Sequence, residues 1–166
     1  DKSSKKLCGK FRKGHFEGVL NVVNRFIEII KPKYIYLGKK DYQQLFLIKK
    51  HIEKRKIKSR IIECETIREN NGVACSSRNS KLNKNQIKVA SNIHNYLRNL
   101  KKKIRKNYNL FNINKIRIDL INLGANKIDY VENYNIKSFK RIIKSDQNFN
   151  LFFAYYIKNI RLIDNI

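Results

Sequence analysis

Two short strings hold the side chains best suited to chemistry on a phosphorylated ligand. The first is Gly38-Lys39-Lys40-Asp41-Tyr42-Gln43-Gln44-Leu45, and the second is Ala74-Cys75-Ser76-Ser77-Arg78-Asn79. The first sets cations, a carboxylate and amides at a strand-to-helix turn, where an open α/β sheet receives a polar ligand. The second offers two hydroxyls and a guanidinium, donors matched to phosphate oxygens. Taken singly, each string is a common surface feature. A Lys-Lys-Asp turn is usually solvated, and Ser-Ser-Arg recurs by chance.

The elements that must position these residues can be read from periodicity. Val19, Val22, Val23, Phe26, Ile27 and Ile30 recur at helical spacing over 16–30, and Lys31-Pro32 ends that helix. Tyr34-Ile35-Tyr36-Leu37 is a short β-prone run ending in Gly38. A second helix begins near Asp41, with Leu45, Ile48 and Ile52 on one face and Asp41 placed to cap it. Arg60-Ile61-Ile62-Glu63-Cys64 reads as the next strand, so helix and strand alternate as in parallel sheets with crossovers. Beyond Asn79 a long amphipathic helix covers 84–106, through Ile87, Ala90, Ile93, Leu97, Leu100 and Ile104. Residues 111–123 fit a strand or a helix closed by Gly124. Ile128 to Glu132, Asn148 to Ile157 and Arg161 to Asp164 read as strands of a small, antiparallel sheet.

Composition narrows the class. A chain of 166 residues with 42% hydrophobic content supports one ordinary domain or two small ones. No apolar run spans a bilayer, so no membrane partner is expected. Cys8, Cys64 and Cys75 lack any C-x-x-C pairing, which argues for reduced thiols in a cytoplasmic protein and nominates no metal ligands. The formal net charge of +25 would ordinarily suggest a polyanionic partner. The excess is mostly Lys, dispersed and accompanied by Ile and Asn, as an A/T-rich coding bias produces. No specific nucleic acid is therefore expected. Lys101-Lys102-Lys103, with Arg105 and Lys106, is the densest patch and reads as a solvated helix face.

In order and spacing the two strings resemble the pantoate–β-alanine ligase (pantothenate synthetase) family, whose usual forms read GEKDxQQL and (M/L)SSRN. Gly14-His15-Phe16-Glu17-Gly18-Val19 resembles RPGHFxGV, Thr66-Ile67-Arg68-Glu69 resembles TxRE, and Arg161-Leu162-Ile163-Asp164-Asn165 resembles RLIDN. The resemblance implies the rear half of a Rossmann-like nucleotidyltransferase domain over 1–79, then a small α+β domain over 80–166. It implies ATP-dependent joining of pantoate and β-alanine through pantoyl adenylate, with Mg2+, in a homodimer. Residue by residue, it implies catalytic roles for Lys40, Ser76, Ser77 and Arg78. ATP contacts fall to Gly38, Lys39, Lys40, Asp41, Ile67, Cys75, Ser76, Ser77 and Arg78. Gln44 is assigned to pantoate, and His15 is a further site position.

The family's HxGH string is absent from the sequence, as is Met, so the expectation is an N-terminally incomplete chain with an HxGH-bearing half encoded upstream. Three positions depart from the family pattern. Lys39 stands for Glu, Lys13 for the Pro of RPGHF, and Glu65 for the Pro before TxRE. The alternatives to an enzyme are a basic nucleic-acid-binding module, with nine Tyr and nine Phe available to stack on bases, and an inactive remnant.

Overall fold

The computed structural model describes residues 2–144 and 148–166, which fall into two compact units, Asp1–Thr66 and Ile67–Ile166. In the first unit a short helix α1 (Cys8–Phe11) precedes α2 (His15–Ile30), β1 (Tyr34–Gly38), α3 (Tyr42–Lys54) and β2 (Arg60–Cys64). Strands β1 and β2 pair in parallel from Tyr34–Arg60 to Gly38–Cys64, so both run out at the same sheet edge. That pairing is the expected one, and the crossover is α3.

The core of this unit is aliphatic. Ile27 of α2 meets Ile48 and Ile52 of α3, with Val19, Leu20 and Val23 around them and Ile35, Leu37 and Ile61 from the sheet. The apolar periodicity of α2 is broader than its buried stripe. Val22, Phe26, Ile29 and Ile30 are more than half exposed. Lys31 ends the helix in the left-handed conformation (φ 49°), its N–H bonded to Ile27 O. Gln43 at the start of α3 is buried and holds the N-terminal segment in place. Its amide donates to Ser3 O (2.9 Å) and Lys6 O (2.7 Å), and its Oε1 accepts from Cys8 N (3.1 Å).

The second unit contains α4 (Lys84–Lys106), α5 (Ile113–Asn122) and the strands β3 (Lys127–Asn135), β4 (Phe149–Ile157) and β5 (Ile160–Asn165). Residues 113–122 are helical, the form favoured by the family resemblance. Asn83 caps α4 reciprocally with Gln86, the two side chains each bonding the other's backbone N–H (3.0 and 2.9 Å). The sheet is antiparallel in the order β3-β4-β5, as expected. Its central strand is apolar on both faces because both are covered. Phe153, Tyr155 and Ile157 join Ile93 and Leu97 of α4 and Ile116 and Leu120 of α5, while Phe152 meets the edges of Tyr134 and Phe139.

The turn that opens this unit is fastened to the last strand. Arg68 makes a two-pronged contact with Asp164, Nη1 to Oδ2 at 2.6 Å and Nη2 to Oδ1 at 3.2 Å, and also donates to the carbonyls of Gly72 and Asn165. His94 Nδ1 lies 3.7 Å from the same carboxylate, itself only 9% exposed. Truncating one partner of such a pair strands the other charge away from water. Arg68→Ala is expected to destabilise this unit by roughly 3 kcal/mol, read from the urea midpoint by circular dichroism, with Asp164→Asn losing less.

Candidate nucleotide site

Gly38 is the last residue of β1, and Lys39–Asp41 form a single 3-10 turn before α3. A parallel strand delivers its carboxyl end to a helix start here, and the turn leaves Asp41 half exposed while the Lys39 and Lys40 side chains are largely covered. Lys40 Nζ lies 3.9 Å from Asp41 Oδ2. Asp41 occupies the N-cap position of α3, yet its side chain makes no capping hydrogen bond. The capping role expected from sequence is thereby corrected, and the half-exposed carboxylate keeps its acceptor capacity for a ligand. Gln44 is half-buried, in contrast to its neighbour Gln43, whose structural role has no counterpart in the sequence reading.

Two of the departures from the family pattern meet. Lys39 Nζ pairs with Glu65 Oε1 just beyond the carboxyl end of β2. The hydrogen bond that Lys39 donates to Glu65 is the largest influence raising its pKa, with the charges of Glu65 and Glu63 adding to it. A cation in place of Glu is thus answered by a carboxylate in place of Pro, so Lys39 is neutralised locally while the two positions together become one unit more positive than the family pattern.

His15 begins α2, next to Gly14, whose left-handed backbone (φ 72°) admits glycine without strain. It lines a cavity of about 470 Å3 together with Lys5, Lys10, Arg12 and Lys13, so its surroundings are cationic.

In the second unit, residues 67–75 form a tight hairpin-like turn. Cys75 N–H donates to Ile67 O (2.9 Å), and Gly72 turns the chain at φ 88°, where a Cβ would lie 2.6 Å from His94 Cδ2. Ile67 is 76% exposed. The Cys75 thiol sits 3.6 Å from Glu69 Oε1, and desolvation together with that carboxylate raises its pKa. Ser76 Oγ accepts from Arg78 N (3.2 Å), and Asn79 anchors the loop by donating to Ala74 O (3.1 Å). Ser77 and Arg78 are exposed. Among the described residues no carboxylate pairs with Arg78. The loop therefore presents two hydroxyls and an uncompensated guanidinium on an internally braced backbone.

A model of the pantoate-beta-alanine ligase family matches residues 1–166. The chain belongs to this family. Among curated relatives, it is 41% identical over 162 residues to the pantothenate synthetase of Clostridium acetobutylicum, covering 96% of this chain and 57% of that one. It is 36% identical over 160 residues to that of Shouchella clausii, covering 96% and 53%. The chain thus spans little more than half the length of these relatives. It superposes on the Francisella tularensis pantoate-beta-alanine ligase, solved as a complex with beta-gamma ATP and beta-alanine, with a TM-score of 0.76 and 34% identity, over 100% of this chain and 55% of that one. The pantothenate synthetase of Thermus thermophilus shares the fold at a TM-score of 0.89 and 24% identity, over 99% and 60%.

Family membership and the buried aromatics together disfavour the nucleic-acid-binding alternative. Tyr130, Tyr134, Phe139, Phe149, Phe152, Phe153 and Tyr155 pack inside the second unit, where no base could stack on them. Among the described residues, no helix is long and apolar enough to cross a membrane.

The Lys39–Glu65 pair makes a stability prediction. Lys39→Glu places like charges together and is expected to lower stability by under ~1 kcal/mol, the range of an exposed pair. The exchanged double variant, Lys39→Glu with Glu65→Lys, should recover most of that loss in a double-mutant cycle of urea midpoints.

Proposed function

We propose that these residues serve ATP-dependent condensation of pantoate with β-alanine in the ligase to which the chain belongs. The observation that carries this reading is the turn at the end of β1, where Lys40 and a non-capping Asp41 stand together. It is supported by the ATP and β-alanine ligands of the Francisella tularensis relative. In the first step the pantoate carboxylate attacks the α-phosphorus of ATP, and pyrophosphate leaves. In the second the β-alanine amine attacks the acyl carbon of pantoyl adenylate, and AMP leaves with the electrons of the acyl–oxygen bond.

Neither step needs a protein nucleophile, so the chain's work is alignment and charge neutralisation. We assign Lys40 to the phosphates, where a flexible point charge follows the changing geometry. Asp41 is assigned to the ribose hydroxyls and Gln44 to pantoate. Ser76, Ser77 and Arg78 act as phosphate donors. Gly38, Ile67 and Cys75 act through their backbones, and His15 as an accessory position. Lys39 keeps its place beside the nucleotide with its charge balanced by Glu65. In this reading residues 1–79 form the nucleotide- and pantoate-handling part, although the backbone of 67–79 packs with the second unit.

Among the described residues no three His, Cys, Asp or Glu side chains gather to hold an ion. Mg2+ takes few protein ligands when phosphates and water supply the rest, so the chain fits an ion that arrives on ATP. Bound there, it shares the neutralisation of phosphate charge. A homodimeric state and a cytoplasmic setting accompany the family reading and are open to sedimentation and fractionation.

Lys40→Ala in the complete ligase is expected to slow pantoyl-adenylate formation by about 10²–10³ with little change in folding. A wild-type rate in single-turnover assays would remove Lys40 from the assigned role. Residues 1–166 alone hold none of the HxGH histidines. They are expected to bind ATP weakly and salt-sensitively, with no AMP release dependent on pantoate and β-alanine; robust turnover would relocate the catalytic centre.

A further inference from the structure

The basic patch on α4 is divided by the structure. Lys101 and Lys102 each lie three or four residues from both Arg98 and Arg105, and Arg98 lies four beyond His94, so the five residues fall along one side of the helix. Together with Arg68, Gly72 and Ile166 they line a cavity of about 390 Å3 within the second unit. Lys103 and Lys106, equally basic in sequence, are exposed elsewhere on the helix and do not line it.

We propose that this cavity is a binding site for a small molecule carrying two or more linked phosphates, held by Arg98, Lys101, Lys102 and Arg105. The charge balance is the first argument. Asp164 is already engaged by Arg68 at 2.6 Å and approached by His94 at 3.7 Å. Among the described residues no carboxylate pairs with Arg98, Lys102 or Arg105. Like charges gathered in a recess repel, and an entering anion relieves that repulsion.

Lys101 sharpens the point. It is half-buried, donates to Asn150 Oδ1 (2.9 Å) and lies 5.6 Å above the Phe149 ring. Burial first, then the Arg105 charge, lowers its pKa to about 8. This is a cation held without an anionic partner against a desolvating wall. An anion placed between Lys101 and Arg105 would favour its charged form.

Size and reach select the ligand class. The cavity falls within the range of small-molecule sites, roughly 300–1,000 Å3. Arg98 and Arg105 stand two turns apart, roughly 10 Å along the helix axis. A chain of linked phosphates spans that distance and engages all four cations at once, each guanidinium taking oxygens in pairs, whereas a single phosphate would have to draw both arginines inward and would leave the lysines less well matched. A nucleic acid fits less well, because Phe149, the ring beside Lys101, is buried and closed to base stacking. None of Gly38 to Gln44 and none of Cys75 to Arg78 lines this cavity, and the proposal does not rest on the ligase reading.

Titration calorimetry with inorganic tripolyphosphate tests it. The chain carries Lys40→Ala and Arg78→Gln to silence the proposed ATP cations, and the salt is roughly 150 mM to screen scattered charge. Saturable binding of one tripolyphosphate per chain is expected. Adding Arg98→Gln and Arg105→Gln, both at exposed positions, should weaken it roughly tenfold or more. Adding Lys84→Gln and Lys106→Gln instead removes the same charge from exposed positions of α4 outside the cavity, and should change affinity by less than about twofold. No binding, or equal weakening by both pairs, would overturn the site. So would a single-stranded RNA oligonucleotide that binds more tightly than tripolyphosphate with the same sensitivity to Arg98 and Arg105.

Discussion

The contact between Arg68 and Asp164 joins positions 96 residues apart and sets the geometry of the second unit. Arg68 opens the turn that leads into Ser76 and Ser77, and Asp164 belongs to the last strand. The guanidinium also takes the carbonyls of Gly72 and Asn165, so one side chain holds the turn, the strand and the chain's end together. His94 of α4 shares the carboxylate and also fills the space that a side chain at residue 72 would need. Two of the family's motif strings, TxRE and RLIDN, thereby turn out to be the halves of one tertiary interaction. Removing either partner of such an ion pair leaves the other charge with nowhere to go.

The same scarcity of carboxylates governs the electrostatics of the whole chain. Only 13 acidic residues face 38 Lys and Arg. Several acids are committed to particular partners. Asp129, 2% exposed, takes Arg161 at 2.7 Å, and Asp119 accepts from Tyr96 at 2.6 Å. Glu63 and Glu65 answer Lys49 and Lys39 at the carboxyl ends of the parallel strands. The cations left over are therefore not uniformly spread in effect. Where they lie on open surface, water and salt screen them. Where they line a recess, as along α4, their fields add.

The Lys39–Glu65 pair shows how an altered charge at the end of β1 is met by a neighbouring residue. Neither substitution can be judged alone, because a reversed charge beside a nucleotide looks damaging and a lost Pro looks loosening. The parallel register of Gly38 with Cys64 brings the residues that follow each strand side by side. Glu65 then neutralises Lys39, although the two departures together leave the turn one unit more positive than Glu with Pro would.

Much of the architecture was legible in the sequence, because local periodicity and turn chemistry are properties of neighbouring residues. The β1 turn, the span of α4, the pairing of a parallel and an antiparallel sheet, and the ligase motifs all follow from spacing or resemblance. What the sequence could not separate was side chains of like type whose fates differ by burial. Gln43 and Gln44 are adjacent and chemically identical, yet one braces the N-terminal segment and the other is half-buried with its amide assigned to pantoate only by proposal. Lys101 and Lys103 belong to the same basic run, yet one is desolvated beside Phe149 and the other is solvated, so the reading of that run as one solvated face holds only in part. Asp41 stands at a cap position without capping. Helical phase and the packing of distant strands decide these outcomes, since burial depends on which surfaces meet, and that is set by contacts far apart along the chain.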